Sequence, residues 1–493
     1  MDDSDRLLSV LGLPETQADA VTRKLCAAVY LDWRFAEFCR EQLCHPSIVA
    51  GAPPHGIDDI AVARHAVHAF HLERSRYRRM SLLTLSFYCA VALAIMSAVN
   101  GFGLGAVTLG LVAVALLAAG AVVNVRSELM IRRIAQSLVR NPDPDPQESA
   151  PRLSSTLERS LVERSRANVV VYDAEIGNEN PFIGSGWRIT EAVWAPIDVG
   201  TAADDDSGRP LTIRPFTAAD LHTFLIKQMP ALGFESLTAV DRLYVPGQSA
   251  VKVPGLVPDP LRAPVSTVDE RLVRAGVNIQ GGHARTYLCL QHVSRGGALV
   301  VSMYVRARLV QDRLTWETHA YVLPPLSPVF SKVDTLPRRR NELFWDTAAT
   351  HGFQGLPLVL AAPAMLLARR FVSGEFLAQQ SEGRADIDRK RDYDYGAVMV
   401  IREVVSDFAE MGFAERTDAT DYFQRLQQGV LTATRKFLDE HNVDTSDLKT
   451  KQQQITSKHT YNFTGNITGP GHIFGDQGVQ KHTVDPPQSG EST

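Results

Sequence analysis

Met80 to Val99 reads MSLLTLSFYCAVALAIMSAV, and Leu104 to Val125 reads LGAVTLGLVAVALLAAGAVVNV, with Asn100-Gly101-Phe102-Gly103 between them. Neither run holds a charged side chain. Each has about the 20 residues that a helix needs to cross the hydrocarbon of a bilayer. A helix pairs its own backbone groups, so such a run is stable where no water is available. A buried helical hairpin in a soluble core is the competing reading. Two adjacent uncharged runs of this length argue against it. The expectation is a two-helix transmembrane hairpin over 80–125.

The flanks give the orientation. Arg74, Arg76, Arg78 and Arg79 precede the first run, and Arg126, Arg132 and Arg133 follow the second. The loop between carries no charge. Positive flanks stay inside, so both termini are expected in the cytoplasm of a bacterial cell, with the hairpin in the inner membrane and membrane lipid around it. No signal-peptide pattern is present, because the first run begins only at residue 80. The hairpin holds no ionisable group of the kind that ion-coupled transport uses inside a membrane. In the second run Ala106 with Gly110, and Ala115 with Ala119, have the spacing of small residues that lets helices approach closely. That spacing serves either self-association into a homo-oligomer or packing within one hairpin.

Outward from the hairpin, residues 1–79 read as a helical cytoplasmic region, with one helix expected over Val21–Leu43 and another over Ile57–Met80 that runs into the first span. His65, His68 and His71 recur every three residues, near Cys39, Cys44 and His45. A structural zinc site takes four ligands, usually with Cys. A polar face of an interfacial helix, with snorkelling Arg, accounts for these His more simply. No metal and no cofactor is expected. Residues 126–152 read as a basic helix followed by an extended Pro/acid linker, Asn141-Pro-Asp-Pro-Asp-Pro-Gln-Glu148.

Residues 153–345 change to strand patterning. Val169–Tyr172, Trp187–Ile197, Leu237–Val245, Arg285–Val293, Ala298–Val310 and Arg313–Val322 read as strands, the last three as an antiparallel meander. Thr217 is placed to cap a helix. Residues 346–450 read as helical, over Tyr395–Met411 and Asp421–His441. Between them and the strands, Leu356–Ala368 (LPLVLAAPAMLLA) is apolar but too short to span, and Pro357 and Pro363 interrupt it. It reads as a core or membrane-surface segment with Arg369 and Arg370 as its polar edge. The fold class is α+β: N-terminal helices, the transmembrane hairpin, a mainly antiparallel α+β cytoplasmic region and a C-terminal tail.

Composition narrows function. The 51 basic and 55 acidic residues balance to −4, which excludes a strongly basic nucleic-acid binder. Five scattered cysteines do not make a disulfide framework. Gly184-Ser-Gly186 lacks the spacing and lysine of a phosphate loop and reads as a turn. No catalytic motif occurs, so no catalytic residue is assigned. An enzyme with dispersed catalytic residues stays open as an alternative.

The tail, 451–493, is polar and punctuated by Gly465, Gly469, Gly471, Gly475 and Gly478, with Phe463, Ile467, Ile473, Phe474 and Val479 between Asn and Gln residues. It is too poor in apolar area to fold alone. It is either disordered or a segment that stacks with identical copies through those five side chains. This stretch resembles the Gly/Asn-rich motifs of bacterial amyloid-like signalling proteins. The basic helix, paired spans and second basic helix resemble the SLATT-type modules of bacterial conflict systems, which implies a membrane-disrupting effector. Of the 51 cationic residues only 10 are Lys, and the chain resembles actinobacterial two-span membrane proteins.

Most of the chain lies outside the hairpin and carries no catalytic signature. The expected function is therefore a non-enzymatic, membrane-anchored docking or adaptor protein. It would present its cytoplasmic α+β domain to a protein partner or a large assembly, for instance a phage-tail-like contractile injection particle, in a stress or cell-death response. The alternatives are a self-assembling membrane-disrupting effector and a membrane-bound enzyme.

Overall fold

A computed structural model describes residues 19–448 apart from 46, 142, 178–179, 235, 280–281, 354, 390–391 and 447. The five tail residues Phe463, Ile467, Ile473, Phe474 and Val479 lie outside the described residues.

Two short helices, α1 (Ala20–Leu31) and α2 (Trp33–Cys44), open the described chain. One helix was expected here. Asp32 breaks it: its backbone is extended and its carboxylate accepts the Arg34 and Phe35 amides, capping α2. Two long helices follow, α3 (Asp59–Val99) and α4 (Gly103–Arg140). Both are long and apolar enough to cross a membrane. Leu82, Leu93, Ile95, Met96, Leu104, Val107, Leu111 and Val114 stand exposed along them. Asp58 caps α3 through the Ile60 and Ala61 amides.

The segment after α4 is not the extended linker expected. Asp145–Glu148 forms a turn, with the Glu148 amide on the Asp145 carbonyl. The Pro146 carbonyl meets His65 Nε2 at 2.9 Å, and the Asn141 carbonyl accepts from Arg23 at 2.9 Å. Helix α5 (Ser155–Ser165) then leads to the sheet.

The sheet has six strands in the order β1-β3-β4-β5-β6-β2. They are β1 (Val169–Tyr172), β2 (Trp187–Asp198), β3 (Leu237–Pro246), β4 (Arg285–Ser294), β5 (Leu299–Val310) and β6 (Arg313–Leu323). Only the β1–β3 pair is parallel; the meander β4-β5-β6 is as expected. Helix α6 (Ala218–Gln228) begins with a full capping box, Thr217 with Asp220. Alternation sends Leu288, Leu290, Val301, Met303, Val305, Trp316 and Val322 to one face, packed on Leu221 and Leu225 of α6 and on Phe423, Leu426 and Val430. Helix α7 (Glu270–Asn278) covers the β3–β4 end of that face through Val277.

After the sheet come α8 (Arg340–Ala348), α9 (Leu356–Asp388) and α10 (Phe413–Glu440), the last supplying Phe423, Leu426 and Val430. Two expectations fail here. Pro357 and Pro363 do not interrupt the apolar run, which forms the first part of the 33-residue α9: Pro357 lies in the first turn, where no amide is needed, and Pro363 lies inside the helix. Tyr395–Met411 is not a helix. Its backbone is drawn to the sheet edge instead: the Ala397 amide donates to the Val171 carbonyl and the Asp173 amide to the Ala397 carbonyl. Only Ile401–Val404 is helical there, with a single turn at Phe408–Glu410.

One core joins segments from before and after the hairpin. Val21, Leu25 and Phe35 pack with Ala61 and Val62 of α3, Ile131, Ala135 and Leu138 of α4, Phe330 and Val333 after the sheet, and Ile401 and Val405.

Candidate functional site

A network of charged side chains sits where the apolar stretches of α3 and α4 enter the body. Glu128 is the only acid between residues 80 and 140. Its carboxylate bridges the two long helices: Arg76 of α3 reaches Oε2 at 2.7 Å, and Arg132, one turn along α4, reaches Oε1 at 3.3 Å. Arg132 also pairs with Asp346 of α8 at 2.7 Å and meets His351 Nε2 at 3.0 Å. Side-chain exposures of 7% for Arg76, 14% for Glu128 and 13% for Arg132 place the network out of bulk water, where pairing matters most.

Further along the hairpin the contacts become backbone-directed. Asn124, fully buried, donates to the His351 carbonyl at 2.8 Å. Thr84 donates to the Val359 carbonyl at 2.7 Å. That carbonyl lacks a helical partner, because the residue four positions on is Pro363, which has no amide. Tyr77, Met80, Val359 and Ala362 close an apolar cluster around it. Gly120 permits the approach: a Cβ there would lie 2.7 Å from Val359 Cγ1. Three helices thus meet at one junction, two from the hairpin and α9 from the body.

The seven basic residues expected to flank the membrane divide by role. Arg74, Arg78, Arg79, Arg126 and Arg133 are exposed, while Arg76 is buried and Arg132 largely so, both in the network. The four small residues divide too. Ala106 and Gly110 are partly covered, whereas Ala115 and Ala119 are exposed on the outer side of α4. Reading the sequence singled out neither Glu128 nor Thr84 nor Asn124. The lone acid among arginines was the available signal for Glu128.

The sheet's second face is a separate feature. Tyr244, Tyr287, Cys289, Tyr304 and Tyr321 line it and surround Phe182, which stacks on Tyr304 at 4.1 Å between ring centroids. The loop carrying Phe182 is locked by Glu403, whose carboxylate accepts the Gly184 and Gly186 amides, each at 3.0 Å. Both glycines have φ above +80°, which only glycine adopts without strain. The amide pair of Gly184-Ser-Gly186 is therefore filled by the chain's own carboxyl group. At the edge of this face Glu317 accepts from Tyr287 at 2.6 Å and meets His319 at 3.2 Å. Burial would raise its carboxyl, but these hydrogen bonds and the His319 and Arg285 charges outweigh it and hold it at about 2.

An Asp–His pair with a catalytic look sits on the other face. His222 Nδ1 is 2.8 Å from Asp241, but its Nε2 accepts the Ala307 amide at 3.1 Å, so neither ring nitrogen is open. The His and Cys residues near the N-terminus are placed in the same way: Tyr30 bridges His65 and His68, each at 2.9 Å, and Cys39 is buried. No group of three or more potential ligands for a metal ion gathers among the described residues.

The family described as an AbeC-like domain matches residues 187–474, more than half of the chain, from the start of β2 onward. No curated protein and no solved structure matches.

Proposed function

Because the chain belongs to the AbeC-like domain family, which is associated with abortive-infection systems, we propose that it is a non-enzymatic docking protein of bacterial defence. Its hairpin anchors it in the inner membrane with both termini in the cytoplasm, and the α+β body engages a protein partner or a large assembly when infection or stress is signalled. One observation carries this reading. Helices α3 and α4 run unbroken from the apolar stretches into the body, where Arg76, Glu128 and Arg132 tie them to each other and to α8. A load or rearrangement in the body therefore reaches the hairpin through rigid helices rather than a loose tether. The five exposed arginines, Arg74, Arg78, Arg79, Arg126 and Arg133, support the cytoplasmic placement of the body.

A specific feature favours a second reading, a membrane-disrupting oligomer. Ala115 and Ala119 face outward with the spacing that lets a helix of another copy approach. The two separate on purifying the full chain from native membranes in mild detergent, followed by sizing and mass spectrometry. A docking protein yields a reproducible, stoichiometric set of other proteins, and membrane potential stays intact when the chain alone is induced. A homo-oligomer without partners, together with depolarisation that Ala119→Leu relieves, overturns the docking reading.

A further inference from the structure

The two apolar helices account for the hairpin, yet a third apolar stretch lies beside them. Leu356–Ala368 has no charged side chain. Its contacts fix its depth. The Val359 and Leu360 carbonyls accept from Thr84 and Tyr88 of α3, at 2.7 and 3.3 Å. Those residues lie four and eight positions inside the uncharged run that starts at Met80, which is about 6 and 12 Å along a helix axis at 1.5 Å per residue. On α4 the chain climbs in parallel fashion: Gln136 meets the Pro337 carbonyl, Arg132 meets Asp346, Asn124 meets the His351 carbonyl and Gly120 abuts Val359. Each step along 337–359 lies nearer the centre of the hairpin.

Among the described residues, none covers the outer face of this stretch. Ala361, Ala364, Met365, Leu367 and Ala368 are exposed, with Leu367 at 58%. Trp345, 70% exposed on α8, stands where the charged network begins, at the level where Trp is favoured between lipid and water. Helices Arg340–Gly352 and Leu356–Ala368 meet at 67° and together are apolar enough for a span.

A third crossing conflicts with the rest of the chain. Tyr395 packs with Ile48 and Val169, and Ile401 and Val405 share a core with Val21, Leu25 and Phe35. The chain thus begins and ends its excursion on the body's side. We propose that helices Arg340–Gly352 and Leu356–Asp388 form a re-entrant element, with Leu356–Ala368 embedded in the lipid leaflet next to the body and its outer face against acyl chains. The occupant of that face is lipid because the face continues the lipid-facing surface of the hairpin at the same depth. Thr84 makes the insertion tolerable by satisfying the carbonyl that Pro363 frees where no water reaches.

This inference rests on the hairpin spanning the membrane, and the test separates the two. The full chain is expressed with Cys44→Ala and Cys89→Ala, the cysteines not buried. Single cysteines are then placed at Glu440 on the body, Phe102 in the hairpin loop, and Met365 or Leu367. Sealed vesicles of both orientations are treated with a membrane-impermeant maleimide. Glu440→Cys and Phe102→Cys label in opposite orientations if the hairpin spans. Met365→Cys and Leu367→Cys are expected to label in neither, and to label fully once detergent opens the membrane. Labelling of both in the orientation that labels Glu440→Cys overturns the proposal in favour of a water-exposed surface. Labelling in the orientation that labels Phe102→Cys overturns it in favour of a third crossing. Labelling of Phe102→Cys together with Glu440→Cys removes the spanning hairpin and the re-entrant element with it.

Discussion

His55 lies beneath the sheet with both ring nitrogens engaged, Nε2 toward the Ile183 carbonyl at 3.2 Å and Nδ1 toward the Gln291 side-chain amide at 2.6 Å. Burial first, and then the Arg242 charge, lower its pKa to about 4; His65, buried beside Tyr30 and the Pro146 carbonyl, is lowered by burial to a similar value. Both rings are held neutral in the folded chain, whereas in the unfolded chain they titrate near 6.5. The unfolded state therefore binds protons that the folded state refuses, and stability falls as pH drops from about 6.5 toward about 4. The melting temperature of the detergent-solubilised chain should decline across that window. His55→Gln should lower the midpoint at neutral pH, through lost packing, and flatten the decline. An unchanged slope in the variant would remove His55 from the account. His65 was visible in the sequence in a row with His68 and His71, but that row pointed to a helix face and not to burial. Only the three-dimensional placement of Tyr30 and of Pro146 shows which ring is enclosed.

At the scale of elements, the pairing of Thr84 with the carbonyl freed by Pro363 makes a quantitative claim. Thr84→Val keeps the shape and removes the donor, leaving the Val359 carbonyl unpaired beside the apolar cluster of Tyr77, Met80 and Ala362. In a membrane setting such a bond is worth about 0.6–2 kcal/mol. Pro363→Ala restores an amide to α9, which then satisfies the carbonyl within the helix. Thr84→Val should therefore cost clearly less in the Pro363→Ala background, and a denaturation cycle over the four chains should show coupling of the order seen for residues in contact. Additive effects would mean that Thr84 and Pro363 act independently. The same element shows what sequence legibility depends on. The hairpin was legible because twenty uncharged residues have few other fates, and the meander because the turn residues Ser294-Arg-Gly-Gly297 and Gln311-Asp312 punctuate it. The run at 356–368 was legible in composition but not in continuity, since two prolines usually end a helix and here one sits in the first turn. Tyr395–Met411 kept apolar residues near helical spacing, yet its backbone groups had partners on β1 that spacing does not reveal. The junction was hidden for a related reason: Arg76 and Arg132 look like any flanking arginine until Glu128 is brought between them.

For the whole molecule, the chain on either side of the hairpin builds one body. Val21, Leu25 and Phe35, which precede it, share their core with Ile131, Ala135 and Leu138, which follow it, and with Phe330, Ile401 and Val405 far downstream. A piece covering only 150–448 would keep the sheet, α6 and α10, but it would open that core and leave Phe330, Val333 and Leu161 without cover. A chain in which Met80–Val125 is replaced by a short glycine-rich link keeps both sides, because the stubs of α3 and α4 are neighbours at helix-packing distance, about 8–10 Å. The expectation is a contrast between the two. The hairpin-excised chain should melt cooperatively, and the 150–448 piece should show native secondary structure without a cooperative transition and with rapid proteolysis. Equal melting of both would make the N-terminal helices a separate domain and the hairpin a tether. The excised chain should also self-associate, because removing Thr84, Tyr88 and Gly120 uncovers the inner face of α9 while its outer face is already apolar. Leu367→Glu and Met365→Glu should return it to a single species by sizing. Self-association that these two substitutions leave untouched would place the contact on the uncovered inner face of α9 or elsewhere on the body, and not on the outer face.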